Sequence, residues 1–218
     1  MTAARKVAAA RAALILSQPF FGALALRLKV VEDPTCSTAW VDGESMGYSP
    51  QFVEGLTPEE LQGLICHEVL HVANGHPWRR DNRDPEQWNR AADYSINPIV
   101  TDAGLALPAG GLLDSQYKGR FAEWIYDRLG EQGDQPQQGD QQGDQQGQQG
   151  QQGQQGDQQP QEQPQPAGEV RDAPAAADAP TEQEWQQAVQ QAATAAKGRG
   201  ELGGELRRQV EQILQPRV

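Results

Sequence analysis

His67-Glu68-Val69-Leu70-His71 has the form H-E-x-x-H. On a helix its two imidazoles lie one turn apart and can grip a single zinc ion (Zn2+), while the carboxylate between them handles a proton. All three histidines of the chain fall between positions 67 and 76. A metal held there would activate a water and polarise a carbonyl, with Glu68 as general base, which is the chemistry of a zinc-dependent peptidase acting on peptide or protein substrates.

A catalytic zinc needs a third protein ligand, with the fourth position left for water. Asp93 is the best candidate. It shares a stripe at helical spacing with Asn89 and Asn97, which could orient it. His76 competes for the place, as a ligand or as an oxyanion donor. A continuing helix would turn it to the opposite side, and Gly75 is what could redirect the chain.

Positioning these groups requires two helices. Thr57-Pro58-Glu59-Glu60 supplies a capping hydroxyl, a first-turn proline and a glutamate three residues after the cap. That combination starts a helix, and Asn74-Gly75 with Pro77 ends it, so the spacing predicts a helix over about residues 58–74. Leu61, Ile65, Val69 and Val72 share one side, extended by Cys66, Leu70 and Ala73. Three polar groups on so apolar a helix ask for a partner, because burying an unpaired carboxylate costs several kcal/mol, on the order of a failed fold. Asp84-Pro85-Glu86 starts a second helix, with Trp88, Ala92, Ile96 and Ile99 recurring at helical spacing and Pro98 expected to end or kink it.

Upstream, an alanine-rich helix is expected over about residues 2–17, with Phe20 and Phe21 anchoring a turn after Pro19. Residues 26–31, 38–41 and 45–48 read as strands, the last two joined by Asp42-Gly43 in a hairpin turn. A small antiparallel sheet therefore precedes the motif helix. Downstream, residues 121–129 read as a short helix.

The pattern of Pro19-Phe20-Phe21-Gly22, Thr38-Ala39-Trp40-Val41-Asp42-Gly43, His67 to His76, Trp88-Asn89-Arg90-Ala91-Ala92-Asp93 with Ile96-Asn97, and Glu123-Trp124-Ile125-Tyr126-Asp127 resembles a known bacterial family. It is the putative metallopeptidase domain that commonly precedes a von Willebrand factor A-like domain, and the resemblance covers about residues 1–130. It implies a zincin-like α+β fold: a small antiparallel sheet, an H-E-x-x-H helix and a second ligand-bearing helix. His67, His71 and Asp93 would hold the metal and Glu68 would be the catalytic carboxylate. By analogy with zinc peptidases the sheet would border the cleft, where an exposed edge can pair with an extended substrate. A von Willebrand factor A-like domain is absent from this sequence, which suggests a truncated or stand-alone form.

Composition divides the rest. Residues 131–179 are runs of Gln, Gly, Asp and Pro with almost no large apolar side chain, the signature of a disordered linker. Residues 180–218 regain helical pattern: Thr181 to Glu184 repeats the capping box, Trp185, Ala188, Val189, Ala192 and Ala196 form a stripe, and a second short helix covers about residues 204–214. Two such helices bury little alone and should dock back on the domain or on a protein partner.

The net charge of −12 argues against a nucleic-acid partner. The apolar run at Leu14-Ile15-Leu16 is too broken for a signal core and too short to span a bilayer. Two cysteines, Cys36 and Cys66, make no disulfide framework, so a cytoplasmic setting is expected. The alternative to a peptidase is a catalytically inactive, zinc-stabilised interaction module, which would want four protein ligands and have no use for Glu68.

Overall fold

The computed structural model describes residues 1–131, 168–200 and 204–214. The first helix, α1 (Ala3–Ser17), starts where the Thr2 hydroxyl accepts the Arg5 amide, and buries Ala3, Val7, Ala10 and Leu14. Residues after Pro19, expected as a turn, instead form α2 (Pro19–Ala25), with proline at the helix start. Phe20 and Phe21 are buried in it with their rings edge to face, 5.2 Å apart. Their apolar contact outweighs what a loop would leave exposed.

Three strands follow: β1 (Lys29–Glu32), β2 (Ala39–Val41) and β3 (Ser45–Tyr48). Asp42 closes the hairpin between β2 and β3 by accepting the amides of Glu44 and Ser45 at 2.9 and 2.7 Å. Then come α3 (Pro50–Gly55), α4 (Pro58–Ala73), α5 (His76–Arg79), α6 (Pro85–Asp102) and α7 (Ala122–Glu131). The C-terminal part holds β4 (Glu169–Val170), α8 (Glu182–Gly198) and α9 (Gly204–Ile213).

The sheet has the order β1-β3-β2-β4 and is mixed, which corrects the antiparallel expectation. Only β2 and β3 are antiparallel; β1 pairs with β3, and β4 with β2, in parallel. The chain reverses once after β1 and again at Asp42-Gly43, so β1 and β3 run the same way when β1 takes the outer edge of β3. Residues 168–179 are the second departure. Composition assigns them to the linker, yet Glu169 and Val170 pair with Trp40 and Val41, and Val170 is buried. An open sheet edge and one buried valine do locally what average composition does not reveal. The remainder of the expected linker, residues 132–167, lies outside the described residues.

α6 does not end at Pro98 but runs on to Asp102. Ile96 and Val100 on either side are fully buried, and their packing offsets an interior proline's cost of about 3 kcal/mol. One apolar core joins α1, α2, the sheet, α4 and α6 to α8 and α9. Trp185 anchors α8 in it, and its indole N–H donates to the Gly43 carbonyl at 2.7 Å. Of the two docking options left open by the sequence, the helices therefore take the domain. Among the described residues no helix is long and apolar enough to cross a membrane.

Candidate metal centre

The start of α4 is held by a reciprocal capping box: the Thr57 hydroxyl accepts the Glu60 amide and the Glu60 carboxylate accepts the Thr57 amide. From there the helix passes through the core with apolar neighbours on most sides, and His67, Glu68 and His71 are carried in at zero exposure. α6 crosses against α4 and delivers Asp93 and Asn97, also fully buried. Of the stripe Asn89, Asp93 and Asn97, the last two are therefore interior, while Asn89 is half-buried.

His67, His71 and Asp93 come together so that one ligand atom of each lies within 4.8 Å of the others. The two Nε2 atoms are 2.9 Å apart, and Asp93 Oδ1 is 3.5 Å from that of His67 and 3.2 Å from that of His71. Both oxygens of Asp93 and both of Glu68 are buried without a hydrogen-bond partner. Native proteins rarely leave buried carboxylates so, because each unmet group costs at least about 1–3 kcal/mol. Nitrogen and oxygen donors converging on one point, with orphaned anionic oxygens among them, fit a divalent cation.

Burial acts on every member. It pushes His67 down to about 4, with Asp93 pulling the other way, and His71 down to about 3. Both rings are neutral at physiological pH, the form in which imidazole ligates a metal. Burial raises Asp93 to about 6 and Glu68 well above the carboxylate range, the latter helped by the negative charges of Asp93 and Glu169. A nearby cation would reverse the trend for both carboxylates.

Asn97 sets the tautomer of His67. The Asn97 side-chain amide donates to the Leu112 carbonyl at 2.9 Å, so its oxygen faces His67 Nδ1 at 2.7 Å and must accept from it. His67 therefore carries its proton on Nδ1 and turns a bare Nε2 toward His71 and Asp93. Asn97 was expected to orient Asp93; it orients His67 instead. Asn89, the other residue expected beside Asp93, accepts the Val170 amide at 2.9 Å.

His76 sits behind the cluster rather than in it. At Gly75 the backbone takes φ 74°, a left-handed conformation that ends α4 and re-aims the chain into α5. This brings His76 Nδ1 to 2.9 Å from His71 Nδ1, with Trp88 edge-on to the His76 ring at a 5.8 Å centroid distance. His76 was a candidate ligand or oxyanion donor; its ring is occupied with the far side of His71. Because it can donate or accept at Nδ1, it lets His71 carry its proton on either nitrogen. Asn97 falls on the helix the sequence predicts and His76 on the unpredicted α5, and the partners of both follow from how the chain packs.

A model of the putative metallopeptidase domain family matches residues 2–218, well beyond the stretch of motif resemblance. No curated protein and no solved structure matches the chain.

Proposed function

Because this chain belongs to the putative metallopeptidase domain family, we propose that it is a zinc-dependent peptidase of zincin-like fold, with His67, His71 and Asp93 holding the metal and Glu68 as general base. The observation that carries this is the pair of partnerless buried carboxylates beside two imidazole nitrogens. Zinc bound there would supply Lewis acidity toward a water and a scissile carbonyl. Asn97 keeps the His67 proton on Nδ1, so its Nε2 lone pair faces inward, and His76 can accept the proton of His71 at Nδ1, which would leave the His71 Nε2 lone pair free for the metal. Asp93 contributes a negative charge that offsets part of the cation's. Glu68, next in the chain to His67 and not a member of the ligand group, takes the proton of the attacking water and returns it to the leaving amine. In this reading residues 1–130 are the catalytic unit, and α8 and α9 brace its core.

The inactive structural module fits less well. Such sites are usually closed by four protein ligands. Among the described residues only His67, His71 and Asp93 gather, and His76 turns its Nδ1 to His71. The deciding experiment measures bound metal by elemental analysis and hydrolysis of unfolded and folded protein substrates, with and without chelator. Stoichiometric zinc and chelator-sensitive hydrolysis lost in Glu68→Gln are expected. A zinc-loaded protein inert on every substrate would favour the module, and a protein that binds no zinc would remove both readings.

A further inference from the structure

The edge of β2 beside the metal centre is covered by the chain itself. Glu169 and Val170 lie in parallel register with Trp40 and Val41, and the Arg171 amide donates to the Val41 carbonyl at 2.9 Å. Val170 gives its amide to Asn89 on α6, four residues before Asp93, at 2.9 Å. The Ala173 amide reaches the Pro77 carbonyl at 2.9 Å, and Arg80 holds Asp172 through both guanidinium nitrogens Nε and Nη2. At the other end Gly168 is buried directly over Glu68. A Cβ placed there would stand 2.1 Å from Glu68 Oε1 and 3.0 Å from its Cδ. Only glycine fits against the carboxylate at this approach.

Residues 168–173 thus lie as an added strand, with backbone pairing on one side and contact with the general base on the other. That is how an extended peptide engages a sheet edge. We propose that this segment is an internal strap that excludes substrate peptides from β2 and Glu68, and that the protein is latent until the strap leaves. The inference rests on the peptidase reading for its consequence, though not for its geometry. Two properties make the strap releasable. Its strand pairs only two residues, and its clasp, Arg80 with Asp172, lies at the surface with Asp172 57% exposed. It is also retained: α8, which follows closely, is anchored in the core by Trp185, so a released strap stays at high local concentration and re-forms.

The test uses the zinc-loaded full chain, the variants Gly168→Val and Asp172→Ala, and a fluorescein-labelled peptide of residues 166–175 as probe. Valine at 168 meets Glu68 and should drive the strap off, raising apparent peptide affinity by at least about ten-fold, because affinity scales with the fraction of open sites. Asp172→Ala loosens only the clasp and should raise it by about two- to five-fold, in line with the modest strength of an exposed ion pair. Circular dichroism and intrinsic tryptophan fluorescence check folding, and Asp172→Ala decides the matter where Gly168→Val does not fold. Folded variants that bind the peptide no better than the parent, or a parent that already binds it as well, would overturn the strap. Binding needs no turnover, so variants that bind the peptide yet hydrolyse nothing leave the strap standing and count against the peptidase reading.

Discussion

Asp93 in the candidate metal centre and Asp172 in the strap are treated by their surroundings in opposite ways. Asp93 is fully buried, has no hydrogen-bond partner, and is pushed up to about 6 by the loss of water around it. Asp172 stands in solvent, accepts two hydrogen bonds from Arg80, and is held below the usual carboxylate range by them. A carboxylate desolvated without a partner is a standing cost that the fold tolerates where something else binds. One paired at the surface contributes little and can be released cheaply. The first kind of site holds a ligand tightly, and the second suits a latch.

Replacing either aspartate should expose that difference. Asp93→Ala should produce the largest effect, reducing bound zinc from stoichiometric to near none and abolishing hydrolysis, whereas Asp172→Ala should leave metal content unchanged in the same elemental analysis. Glu68→Gln separates binding from turnover on the buried side: zinc should remain, while kcat falls by about 10²–10⁴-fold, the usual contribution of a general base. Asn97→Ala frees the His67 proton to move to Nε2 and should weaken zinc affinity by about 10–100-fold in a competition titration with a chromogenic chelator.

The dependence of zinc uptake on pH sharpens the contrast further. His67 and His71, lowered to about 4 and about 3, are already deprotonated above those values, so Asp93 at about 6 limits binding. Its folded-state pKa lies above the unfolded one, so the metal-free fold holds a proton that the unfolded chain has released. The Asp93 contribution to metal-free stability therefore falls as pH rises from the usual carboxylate range through about 6, and zinc affinity rises across the same window. Affinity should increase about ten-fold per pH unit below 6 and level off above it. The smallest effect should come from Asp172→Ala on global stability, under about 1 kcal/mol by denaturant unfolding, as expected of an exposed ion pair. A large loss there would contradict the latch, since it would make the strap an integral part of the fold.

Local devices were readable from the sequence. Thr57 with Glu60 and Thr181 with Glu184 form reciprocal capping boxes in the structure, and Asp84 caps α6 through the Gln87 amide. Such signals act between residues three apart and need no knowledge of the rest of the chain. The same holds for the spacing that puts His67 and His71 on one face of α4. The turn at Gly75 was visible as a glycine able to redirect the chain, though where it sends His76 was not. The sheet is antiparallel only at the β2–β3 hairpin, a helix replaces the turn after Pro19, and α6 runs past Pro98, for one shared reason. Each was a local preference, and burial of distant partners outweighed it.

What the sequence by itself determined is the inventory of the site: H-E-x-x-H on a capped helix, and an aspartate on the next helix at the spacing of a polar stripe. Tertiary structure decided who meets whom. Asn97 reaches His67 across 30 positions, and Val170 reaches Asn89 across 81. His76 backs His71 because Gly75 bends the chain, and Gly168 covers Glu68 because β4 takes the open edge of β2. Hydrogen bonds and buried charges depend on separations of a few ångströms, and for residues far apart in the chain only the packing of helices and sheet sets those separations.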